Sequence, residues 1–210
     1  MTSLAHDTSA EARGIRSLHL AGLLYGFLAA QFMTIIMLAA SMAPGYDVAG
    51  GAISDLGTIE ETAGIFNASL LTVGLLMIAG GFLVFRTQRS IISLGISLIA
   101  GIGASGAGLF PLDRGDLHGL FALAAFLFFN LQTASDAIWS RGLIRGVGLA
   151  LAVLGIAYLI VMVIGDSGKP AVFGAIGHGG TERLIVYPPM IWLMTYGGYL
   201  MGQPRAHHVR

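Results

Sequence analysis

Three short polar stretches hold nearly all the side chains that could do chemistry in this 210-residue chain. The densest is Gly108-Leu-Phe-Pro-Leu-Asp113-Arg-Gly-Asp116-Leu-His118-Gly119, with two carboxylates, an arginine and a histidine inside six residues. Asp55 lies in an apolar-flanked turn, Ile53-Ser-Asp-Leu-Gly57, and His178, Glu182 and Arg183 precede the last apolar run. Carboxylates and imidazoles can serve as general acids and bases. They can also hold a divalent metal with a position left open for water. On residue type, Asp55, Asp113 and His118 are the candidates for catalysis. Asn67, Arg114, Glu182 and Arg183 are candidates for substrate contact. A divalent metal, if one is used, would fall to His118, His178 and Asp113. The competing reading is a set of loop charges meeting water, and no HExxH or comparable local ligand motif is present. With no cysteine in the chain, thiolate chemistry and disulfides are excluded.

The surroundings of these residues are apolar. Hydrophobic residues make up 55% of the chain and charged ones 10%, with a mean hydropathy of +0.80. Soluble domains carry about 25% charged residues, so the composition is that of an integral membrane protein. Unbroken apolar runs argue for helices and against the alternating strands of a membrane barrel. The formal net charge of zero gives no reason to expect nucleic acid as a partner.

Six runs are long enough to span a bilayer, which takes about 20 residues each. They cover 18–43, 62–85, 90–110, 118–139, 146–165 and 182–201, giving an all-α bundle of six transmembrane helices. Residues 1–17 read as a polar N-terminal segment, 18–201 as one transmembrane domain, and 202–210 as a tail. Small residues at 41–43 loosely fit a signal cleavage site, but a signal core is usually about 7–15 residues. The first run is longer, so it reads as a retained helix. Pro111 closes the third run, because proline cannot continue a helix and disfavours helical geometry before it.

An even number of spans puts both termini on one side. That side carries Arg13, Arg16, Arg86, Arg89, Arg141, Arg145, Arg205 and Arg210, against Arg114, Lys169 and Arg183 on the other. The positive-inside rule then places both termini in the cytoplasm and the three polar stretches at the outer face of the plasma membrane. No inverted repeat of the transporter kind is visible.

Within the spans, the third run has small residues at spacings of three and four, from Gly95 through Gly101, Gly103 and Gly106 to Gly108. Such spacing lets helix backbones approach closely in lipid and predicts a tightly packed central helix. Gln31, Asn67 and Asn130 read as interhelical hydrogen-bond donors and acceptors. Asp136, the only carboxylate inside a span, reads as an interfacial ion pair beside Trp139 and Arg141.

Ile53-Ser-Asp-Leu-Gly57, Phe66-Asn67, Gly108-Leu-Phe-Pro-Leu-Asp113 with His118 downstream, and Glu182-Arg183 before an aromatic helix together resemble a family of multi-pass membrane proteins. It is the domain-of-unknown-function family numbered 998, found in bacteria and archaea. The likeness runs from the first apolar run to the last and implies a six-helix membrane protein without a settled activity. That family is distantly similar to membrane hydrolases of the alkaline-ceramidase kind, whose paired histidines on a late helix have no counterpart here. The expectation is an intramembrane enzyme acting on a lipid or isoprenoid-type substrate at the outer face, by acid–base or metal-assisted chemistry. The alternative is a non-catalytic small-molecule carrier or a helper subunit for other membrane proteins.

Overall fold

The computed structural model describes residues 2–203, with side chains described from residue 13 onward. Arg205, Arg210 and the two tail histidines lie outside the described residues. Six long helices follow one another: α1 (Thr2–Met42), α2 (Glu60–Gln88), α3 (Ile91–Leu109), α4 (Asp116–Trp139), α5 (Leu143–Asp166) and α6 (Gly177–Met201). Short 3-10 turns at Ser54–Gly57, Leu112–Arg114 and Pro170–Ile176 sit in three of the connections. No strand occurs among the described residues.

Each helix packs on its neighbours in the chain, and α6 returns to α1, so the six close into a ring. A further contact between α4 and α6 crosses it. The connections explain the order. Arg89 ends α2 in the left-handed conformation (φ 58°), and the Ser90 hydroxyl accepts from the Ser93 N–H at 3.2 Å to start α3. A link this short leaves α2 and α3 antiparallel and adjacent. One end of the ring, here termed the mouth, gathers the three 3-10 turns. The other, the base, gathers Arg13, Arg86 and Arg89.

Five helices are long and apolar enough to cross a membrane: the Arg13–Met42 part of α1, then α2, α3, α4 and α5. Their outward faces carry large apolar side chains such as Phe27, Ile92, Leu143 and Val153, all exposed. Lipid is the solvent that suits such a surface. Helix α1 begins well before the apolar run, within the stretch that reads as a polar segment. It is built into the core, burying Ala21, Tyr25, Leu28, Phe32, Ile36 and Ala39 at helical spacing.

The glycines of α3 are packed as their spacing suggests. A Cβ on Gly103 would stand 2.6 Å from the Ala125 backbone nitrogen of α4. One on Gly101 would stand 2.7 Å from the Gly74 carbonyl of α2. Helix α3 is therefore wedged between two neighbours rather than central to the bundle. The most enclosed helix is α6, lined on several sides by α1, α4 and α5. That enclosure lets it carry Thr181, Glu182 and a proline pair, Pro188-Pro189, which would be costly facing lipid. Pro189 has no N–H for the Ile185 carbonyl, and the Asn130 side-chain amide of α4 donates to that carbonyl instead, at 3.1 Å. Gln31 likewise joins α1 to α2, accepting from the Ser69 hydroxyl at 2.8 Å. Both amides work between helices, as the sequence suggests.

Candidate active site at the mouth of the bundle

The connection from α1 to α2 folds over the mouth and is held there by the start of α6. Arg183 donates through Nη1 to the carbonyls of Val48 and Gly179, each at 2.9 Å, and through Nη2 to the Tyr46 hydroxyl at 2.8 Å. Its guanidinium also lies over the Tyr46 ring, 5.8 Å from the centroid. Tyr46 donates in turn to the Ala52 carbonyl at 2.7 Å. Half-burial pushes the Tyr46 phenol above its ordinary range, with Arg183 acting in the opposite sense, so the hydroxyl keeps the hydrogen it donates. Gly177 begins α6 at φ +67°, where a Cβ would lie 2.3 Å from the Ala49 carbonyl oxygen. Only glycine lets the helix meet the loop this closely.

This clamp delivers the Ile53–Gly57 turn to the mouth. Glu182, 3% exposed, accepts the Ile53 N–H. Asp55 accepts the Ala52 N–H at 2.8 Å and lines the same cavity as Glu182. Asn67 donates to the Gly57 carbonyl at 2.9 Å and so anchors the turn to α2.

His118 arrives from the other side. Pro111 ends α3 and leaves the Phe110 carbonyl without a helical partner, and His118 Nδ1 meets that oxygen at 2.8 Å. A carbonyl can only accept, so Nδ1 carries the hydrogen. In the neutral ring the Nε2 lone pair is then free to take a proton. The side chain is only 4% exposed and has no hydrogen bond at Nε2 among the described residues.

Two cavities meet at His118. The larger, about 590 Å³, opens at the mouth and is lined by Asp55, His118, Asp166, His178 and Glu182 above apolar walls from α4 and α5. The smaller, about 60 Å³, is an apolar slot running inward past Phe32, Phe129 and Met190 to Asn130. They share Ser54, His118, Ala122, Phe126 and Glu182. His178 Nε2 lies 3.2 Å from Asp166 Oδ1 on the rim.

The sequence-based candidates thus divide. Asp55, His118, His178 and Glu182 come together around one cavity. Asp113 and Arg114 stand exposed on the Leu112–Arg114 turn and line neither cavity. Asp113 points to water because the turn is too short to bury its side chains, and its expected union with Asp55 and His118 does not form. Arg183 and Asn67 hold the loop in place. The metal set of His118, His178 and Asp113 does not assemble, and no three His, Asp or Glu residues among the described ones converge as metal ligands. Ser54 and Asp166 were not singled out by sequence. The position of Asp166 at the last residue of α5, across from His178, was the available signal.

A second polar group fills the base half of the bundle. Asp136 is fully buried and accepts from Gln132 at 2.8 Å, while Gln132 also joins Ser93 and Ser97 of α3. The expected pairing of Asp136 with Arg141 is not made, since the carboxylate faces the core and Arg141 is exposed. The Trp192 indole N–H and Asp136 Oδ2 are both buried and make no hydrogen bond among the described residues.

The family model for proteins of unknown function designated DUF998 matches residues 28–199. The chain belongs to the DUF998 family. That match takes in the Ile53–Gly57 turn, the Pro111 break, His118 and the aromatic α6, so every element that builds the mouth of this DUF998 protein lies inside the family region. No curated protein and no solved structure matches the chain.

Proposed function

We propose that this DUF998 protein is an intramembrane enzyme that acts by acid–base chemistry on a lipid or isoprenoid-type amphiphile. It crosses the plasma membrane six times, with α6 as the enclosed sixth span, both termini in the cytoplasm and the mouth at the outer face. The arginine-rich base supports that orientation. The observation that carries the reading is His118, buried where a polar cavity meets an apolar slot, with Nδ1 fixed and Nε2 free. The slot accepts a hydrocarbon segment, the wider cavity a polar head, and Nε2 sits at their junction as general base. Asp55 and Glu182 supply carboxylates on the facing side of the cavity. A non-catalytic carrier is the second reading, favoured by the buried polar group around Asp136, which gives the base half its own polar side chains.

The test compares total lipid extracts from cells lacking the chain, complemented with wild type or with His118→Ala. The enzyme reading expects one amphiphile to rise and another to fall with wild type only. Identical extracts from wild-type and His118→Ala cells would overturn it and leave the carrier or helper role.

A further inference from the structure

The cavity at the mouth has a sign. Asp55, Asp166 and Glu182 line it together with two histidines, and no lysine or arginine does. Arg183, next to Glu182 in the chain, is committed to the carbonyls of Val48 and Gly179 and to the Tyr46 hydroxyl. The acids alone would be an ordinary solvated rim. The second observation is His118, more than nine-tenths buried, which lines the same space and makes no hydrogen bond through Nε2 among the described residues. The acids are met by backbone N–H groups at Asp55 and Glu182 and by His178 at Asp166, but by no lysine or arginine lining the cavity, so what they lack is a strong cation.

We propose that the cavity binds a long-chain amine, an amphiphile whose protonated amino head is held by Asp166 and Asp55. Its hydrocarbon chain runs between Phe126 and Leu159 toward the apolar slot. This rests on the preceding reading that the cavity takes an amphiphile, and it fixes the charge of the head. An ammonium carries several N–H donors and positive charge, so it satisfies carboxylates and the imidazole lone pair together. Apolar walls strengthen these attractions relative to water. A phosphate or carboxylate head would meet the Asp55 and Asp166 carboxylates with no lysine or arginine lining the cavity to receive it, and like charges brought together across an interface suppress binding. A hydroxyl head would fall between the two.

The experiment uses the full chain in phosphatidylcholine nanodiscs and measures equilibrium binding of dodecylamine and of dodecyl phosphate. Dodecylamine should bind saturably and at least roughly tenfold more tightly than dodecyl phosphate, the scale expected for opposed charge complementarity. Asp166→Asn, on the exposed rim, should weaken dodecylamine binding about fivefold and leave dodecyl phosphate unweakened. Equal binding of the two probes would overturn the proposal, as would dodecylamine binding indifferent to Asp166→Asn. Ala122→Phe, which fills the junction of the two cavities, separates the two levels of the argument. Equal binding that Ala122→Phe abolishes leaves the amphiphile cavity standing and removes the charge selection. Saturable binding of neither probe removes both.

Discussion

Both the mouth and the base of this bundle gather polar side chains in a chain that is otherwise apolar, yet they use them differently. At the base, Gln132, Asp136, Ser93 and Ser97 bond chiefly to one another across α3 and α4, and the aromatic rings of Trp192 and Tyr196 stack beside them with centroids 5.4 Å apart. At the mouth, apart from the Arg183–Tyr46 bond, the hydrogen bonds run between side chain and backbone. Glu182, Asp55, Asn67, Arg183 and His118 each engage a main-chain group, and of these Glu182, Asp55 and His118 also line a cavity. Side chains bonded to each other join helices. Side chains fixed by backbone at one atom, with another atom facing open space, are arranged to meet something else.

The largest stability effect should come from the base. Asp136→Ala removes the acceptor of Gln132 and opens a gap, at a cost of about 3 kcal/mol. Asp136→Asn should cost clearly less, and thermal melting in detergent would separate the two. Gly103→Leu should come next, at about 2 kcal/mol for overpacking against the α4 backbone. Gly103→Ala should be milder, and a leucine variant melting like the parent would mean that α3 can yield where it meets α4. At the mouth, Arg183→Lys keeps the charge but loses the fork that joins Val48, Gly179 and Tyr46. It should cost about 1.5 kcal/mol and expose the 44–59 loop to protease before the rest of the chain. The smallest effect on melting belongs to His118→Ala. It loses one hydrogen bond, worth about 1 kcal/mol, because water in the cavity can serve the Phe110 carbonyl. If His118→Ala instead collapses the fold, the mouth is structural in the same sense as the base, and the contrast between them is lost.

Much of this contrast was legible from sequence in outline only. Helix positions followed from apolar runs, and Pro111 marked where α3 must stop, whereas α6 begins at Gly177, five residues before the apolar run that starts at Glu182. The turn at Ile53–Gly57 stood out because Ile53 and Leu56 flank an acid, and both proved buried. What could not be read was which polar residues turn inward. Asp113 and Asp55 are alike in composition of surroundings, but only Asp55 is carried by a loop that α6 clamps onto the bundle. Asp136 misled because Arg141 is its neighbour in sequence. Its partner Gln132 lies one helical turn back, on the same face, and the i, i+4 spacing was the clue. The enclosure of α6 depends on the ring closing from α6 to α1, a contact with no local signature.

The absence of native cysteine allows the two regions to be compared by one measurement. Ser54→Cys and Ser97→Cys are near-isosteric changes, the first lining both cavities and the second fully buried in the base cluster. Each single-cysteine protein is exposed in intact cells to a membrane-impermeant thiol reagent. Ser54→Cys should be labelled, and Ser97→Cys should stay unlabelled until the protein is unfolded. Labelling of Ser97→Cys in intact cells, or silence at Ser54→Cys, would contradict the proposed division into an open, outward-facing mouth and a closed base network.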